Sequence, residues 1–180
     1  AIPITTWSND IYIEQVGDTL DLDIVQDGQN NKIGTGTQAA VLGSSGNDAD
    51  NMTFSITQTG DLNTITAQIL GATYTGTWTF TGDNNEVDLL CSSSAAGNCD
   101  TVTLNIAATG DDQDYTINIG ESADADGAVI NFTVTDDDNI ITTDVNGTSA
   151  AITVVIDGSS SLSTTDSTLD IDVAGNGDVN

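Results

Sequence analysis

The chain has 180 residues, 28 of them acidic, one basic (Lys32) and none histidine, for a formal charge of −27. This balance excludes nucleic acid and anionic membranes as direct partners, because nothing can neutralise phosphates. It also removes the catalytic schemes that need His, Arg or several Lys, so no enzymatic activity is expected.

Aromatics make up only 4% of the chain, too little bulk for a deep globular interior. A thin core built from repeated medium-sized apolar residues suits the composition better. Abundant Thr, Ser, Asn, Asp and Gly, with a single Pro, indicate many short strands joined by polar turns.

Residues 1–8 read as an N-terminal arm. Beyond them, apolar and polar residues alternate with period 2, as in half-buried strands. Leu20, Leu22, Ile24 and Gln26 share one face. The segment 35–50 is the least regular and reads as a loop around Gly43–Asn47. Alternation resumes with Met52, Phe54, Ile56 and Gln58, then with Tyr74, Gly76, Trp78 and Phe80 set against a row of threonines. Further strands are centred on Leu104, Ile117, Phe132, Val154 and Ile171, the last preceded by a Ser/Thr-rich spacer at 158–168. No segment carries a sustained 3.6 period, so helix is expected to be nearly absent. No run reaches the 18 apolar residues of a membrane span.

Turn signals punctuate the strands. Three share the form Thr-Gly-Asp, at Thr59-Gly60-Asp61, Thr81-Gly82-Asp83 and Thr109-Gly110-Asp111. Turns recur at about 11 residues or twice that, the signature of a solenoid or an array of stacked strand-turn-strand hairpins. The expected fold is therefore one elongated all-β domain over residues 1–180, with a β-sandwich as the alternative.

The amides carry the most specific pattern. Gln15 is followed by Gly17, Gln26 by Gly28 and Asn31, and Gln58 by Gly60, Asn63 and Gln68. This spacing resembles the curlin repeat of curli-type amyloid subunits, over residues 9–33 and 52–70. The resemblance implies a strand-turn-strand unit stacked into a β-solenoid, secretion, and polymerisation into fibres. Similar repeats occur in proteins that look like surface appendages of marine phages and bacteria. Independently, Gln15, Gln26, Gln58 and Asn63 fall on the apolar face, where an amide is costly unless paired. Stacking at strand spacing allows an amide ladder that satisfies them.

Other candidates are fewer. Cys91 and Cys99 flank a turn-like run and are expected to form a disulfide, which points to an oxidising, extracellular setting. Asp136, Asp137 and Asp138, with Asp124 and Asp126, concentrate hard oxygen ligands, making calcium the one cofactor to consider. Asn51, Asn131 and Asn146 begin glycosylation sequons.

The expected function is a structural subunit of an extracellular fibre or cell-surface appendage whose partners are copies of itself, without membrane insertion. Two alternatives stand beside it: a fibre or decoration protein on a virion surface, and a monomeric adhesion module that binds calcium or a glycan.

Overall fold

In the computed structural model, the described residues are 10–15, 19–34, 39–42, 51–71, 73–91, 101–120, 127–135, 138–157 and 168–179. They form strands and no helix. The chain is a β-solenoid in which each coil lays one strand on each of two facing sheets. One sheet stacks β3 (Asp21–Asp27), β6 (Met52–Thr59), β8 (Tyr74–Thr81), β10 (Val102–Thr109), β12 (Val129–Thr135) and the second half of β13 (Ile140–Asp157). The other stacks β1 (Asp10–Ile11), β4 (Lys32–Ile33), β7 (Thr64–Ile69), β9 (Glu86–Cys91), β11 (Asp114–Ile119), the first half of β13 and β14 (Thr168–Val179), whose last residues, Asp178 and Val179, follow β13 onto the first sheet. Two short strands, β2 (Glu14–Gln15) and β5 (Ala40–Leu42), extend the second sheet through β7.

Every strand pair among the described residues is parallel. The hairpin version of the expectation is therefore corrected. A hairpin pairs neighbouring strands antiparallel within one sheet, whereas here each turn carries the chain across the core to the opposite sheet. Successive strands pair only after a full coil. The sandwich alternative, built from antiparallel sheets, fails for the same reason. Within the irregular segment 35–50, the structure describes Ala39 and strand β5; its other residues, the arm at 1–8 and most of the spacer at 158–168 lie outside the described residues.

Period-2 alternation becomes columns. Because the register is in step, one inward residue of each strand sits over the inward residue of the next. On the first sheet Ile24, Ile56, Trp78, Ile106 and Phe132 form such a column, and on the second Ile33, Ile65, Val87, Tyr115 and Ile141. These side chains are buried. Gly76 falls in the column between Phe54 and Leu104. A Cβ there would collide with the Tyr74 phenol, so the missing side chain is what admits the ring. Tyr74 donates to the Phe54 carbonyl (3.2 Å), and the Trp78 indole donates to the same carbonyl (3.1 Å). Two bulky aromatics are thus satisfied inside a thin core.

Candidate assembly surfaces

The four turns Gly28–Asn31, Gly60–Asn63, Gly82–Asn85 and Gly110–Gln113 are built alike. Each opens on a glycine with φ between 113° and 135°, and its third residue (Asn30, Leu62, Asn84, Asp112) is left-handed. A side chain on Gly60, Gly82 or Gly110 would strike the carbonyl of the glycine one coil earlier. Glycine is required there by conformation and by stacking together.

The fourth turn residue points inward and closes the structure with its amide. Asn63 Oδ1 accepts from the Asn31 N–H (3.0 Å), Asn85 Oδ1 from the Asn63 N–H (3.0 Å), and Asn139 Oδ1 from the Gln113 N–H (3.1 Å). The other end of the amide returns to its own turn: Asn31, Asn63 and Asn85 each donate to the glycine carbonyl three residues earlier. Gln113 is one methylene longer and reaches the Gly82 carbonyl of the coil before (2.6 Å). All five amide residues are buried. The repeat pattern contains Asn31 and Asn63, of which Asn63 alone is expected on the core face; Asn31, Asn85, Gln113 and Asn139 join it there. An amide three residues after the turn glycine marks Asn31, Asn85 and Gln113, a spacing that survives where the strand glutamines do not; Asn139 follows Asp136 instead of a glycine and lacks that signal.

Of the strand glutamines, Gln26 and Gln58 stand in register, and Gln58 Nε2 donates to Gln26 Oε1 (2.7 Å). Both are buried. Phe80 takes the next place in this column, so the ladder there is two amides long. Gln15 does not join it. That residue is half-buried in β2 and in register with Leu42, on the other sheet.

The remaining candidates separate. Cys91 ends β9, buried between Ile69 and Ile119, and is not a free thiol; Cys99 lies outside the described residues. Asp138 is exposed and takes the left-handed turn position just before Asn139, while Asp124, Asp126, Asp136 and Asp137 lie outside the described residues. Among the described residues no three acidic or other metal-ligating side chains converge. Asp61, Asp83 and Asp111 instead stack along the turns: Asp61 Oδ1 accepts from the Asp83 N–H (3.0 Å), and Asp83 Oδ1 from the Asp111 N–H (2.9 Å). Asn131 donates its amide to Asn105 (2.9 Å) on the outward face. Asn51 and Asn146 are exposed. Burial holds the phenols of Tyr74 and Tyr115 far above the usual tyrosine range, so both stay neutral.

The two ends of the stack have a different character. Nearly all core residues are buried, yet Ile11, Ile13, Leu20 and Leu22 at one end, and Val154, Ile171 and Val173 at the other, are only partly covered. Among the described residues the core columns end at these coils. Strand β3 is the outermost strand of its sheet. The Leu20 carbonyl accepts from Thr53 and the Gly28 N–H donates to Thr59. By alternation, even-numbered residues bond to β6, and the N–H and C=O groups of Asp21, Asp23, Val25 and Asp27 face away from it. Val25 is 76% exposed.

No protein-family model, curated protein or solved structure matches this chain.

Proposed function

We propose that this chain is a structural module of an extracellular fibre or surface appendage, and that copies join end to end by continuing the β-stack. The supporting observation is the state of the two ends. Solenoids that remain monomeric close their stacks with polar capping repeats. Among the described residues, each end leaves apolar core residues half-covered beside an outermost strand with outward-facing backbone groups. A coil from a second copy supplies both what the columns lack and what the backbone lacks. Cys91, which is not a free thiol, supports an oxidising location.

Charge sets the condition for joining. On the second sheet β1 carries Asp10 at one end and β14 carries Asp170 and Asp172 at the other, while on the first sheet the end strand β3 adds Asp21, Asp23 and Asp27. Acid therefore meets acid across the junction, and assembly requires salt or cations to screen it. The Debye length falls from about 30 Å at 0.01 M to about 3 Å at 1 M salt.

The test is imaging and light scattering across that salt range, with Val25→Pro as the edge-blocked variant. Proline at position 25 removes an N–H that points outward and leaves the bonds to β6 intact. The proposal expects filaments of the parent chain at high salt and none from the variant, whose melting transition stays close to the parent's. A parent chain that remains monomeric at high salt, or a variant that polymerises equally well, overturns it.

A further inference from the structure

We infer that the outward face of β6, β8, β10 and β12 is a second, lateral contact, and that its partner is the same face of another copy. The observation is an absence of charge in a chain that is otherwise saturated with it. These four successive strands contain no acidic or basic residue. Strands of the opposite sheet carry Glu86, Asp88, Asp114 and Asp144 among their residues. Alternation in β6–β12 places mostly threonines outward, in register from coil to coil. The central column runs Thr57, Thr79, Ala107, Thr133.

Threonine alone has an ordinary explanation, since its β-branched side chain suits an exposed strand. That explanation does not account for the asymmetry. Strands β9, β11 and β13 of the second sheet also have an outer side, yet they carry acid there, and β7 alone of its long strands is free of charge. Solubility is thus maintained on one broad face and given up on the other.

Charge selects the occupant. A face of neutral hydroxyl and methyl groups offers nothing to pair with an ion or a strongly charged partner. For two copies with 28 acids each, it is the broad face on which they can approach without desolvating carboxylates. Threonine hydroxyls both donate and accept, so two such faces can satisfy each other. Stacked sheets lie about 10 Å apart. The acidic outer faces of a pair are then separated by at least two further layers, more than two Debye lengths of about 8 Å at physiological salt.

Area sets the strength. Four strands at about 4.8 Å and eight residues at about 3.3 Å give a face of about 500 Å². A pair would bury about 1,000 Å², at the lower limit for a specific interface. Single copies should pair weakly. Copies already aligned along one axis should pair strongly, because each further contact is intramolecular.

The lateral contact does not depend on end-to-end joining, and its test is arranged to keep the two apart. Sedimentation equilibrium is run on the Val25→Pro chain, which cannot extend its stack, at about 0.5 M salt, where screening is nearly complete. A monomer–dimer equilibrium is expected. Thr79→Glu, at the centre of the face, should weaken it at least tenfold, and so should Thr79→Lys. Mixing the two variants should restore a heterodimer. Thr116→Glu, on the outward side of the opposite sheet, should leave dimerisation unchanged. Circular dichroism melts confirm that each variant is folded. The inference is overturned if the Val25→Pro chain stays monomeric up to millimolar concentration. It is also overturned if Thr79→Glu leaves the dimer intact, or if Thr116→Glu weakens it equally.

Discussion

Each coil crosses the core twice, and the two crossings obey different rules. The crossing at Gly28–Asn31, Gly60–Asn63, Gly82–Asn85 and Gly110–Gln113 has one length and one geometry. The crossing that returns to the first sheet varies freely. The ladder contacts measure it: Asn31 to Asn63 spans 32 residues, Asn63 to Asn85 spans 22, Asp83 to Asp111 spans 28, and Gln113 to Asn139 spans 26. Since the first crossing is constant, all of the excess over 22 lies in the returns. Strand register is unaffected, because the same offsets recur on both sheets through β11.

The contrast shows where stacking acts as a constraint. In the constant turns, both backbone and side chain bond to the coil above or below. The Gly60 N–H donates to the Thr81 carbonyl and the Leu62 N–H to the Asp83 carbonyl, and the buried amides repeat that pattern inside. A change in one turn is therefore a change for two neighbours. A return needs only to leave one sheet and enter the other in register, and loop length by itself costs little.

The largest expected effect comes from exchanging the rules. Gly82→Ala places a Cβ against the Gly60 carbonyl at φ +123° and should destabilise the chain by at least about 3 kcal/mol. Inserting two Gly-Ser residues in the return between Cys91 and Val102 should cost under about 0.5 kcal/mol. Chemical denaturation of both variants measures the difference. Comparable losses would show that returns are as constrained as turns.

The next effect sharpens the role of buried amides. Gln58→Glu removes the donor to Gln26 and places a carboxylate in the core, costing about 3 kcal/mol. Its neighbour Thr57 faces outward, and Thr57→Glu should stay within about 0.5 kcal/mol. Both substitutions add one acid to the same strand, so only the face differs. Equal effects in urea melts would remove the case for a paired amide inside.

The smallest effect concerns the return at Cys91. If Cys91 and Cys99 are bridged, replacing both with serine lengthens only the accessible states of one return. The loss should be about 2 kcal/mol, since the closed loop is short, and salt-induced filaments should still form. Abolished folding would place that return among the constrained elements.

Much of this architecture is legible in the residues. Strict alternation at Met52–Gln58 and Tyr74–Phe80 marks strands and their inward faces, and the recurring Thr-Gly-Asp marks the constant turns. Two things are not legible. Period 2 is the same for parallel and antiparallel strands, so alternation cannot separate a hairpin from a turn that crosses between sheets. Register across coils is also hidden, because returns of unequal length break the sequence period while leaving the spatial one intact. Gln15 illustrates this: its spacing to Gln26 matches that of a repeat, yet β2 pairs with β5 and places it on the other sheet. The burial of Asn85 and Gln113 is hidden for a simpler reason. Asn85 and Gln113 follow aspartates and asparagines in polar turns, and nothing in their chemistry distinguishes an inward amide from a solvated one.

The most direct test of the account is the axial repeat of the filament. Among the described residues the first sheet presents six full strand levels, with the Asp178–Val179 end of β14 beginning another, and the second sheet presents seven. At about 4.8 Å per level, end-to-end joining predicts strands perpendicular to the filament axis and a subunit rise of about 29 to 34 Å. Cryo-electron microscopy of filaments grown at high salt measures both quantities. Strands running along the axis, or a rise well outside that interval, would contradict a stack continued from copy to copy.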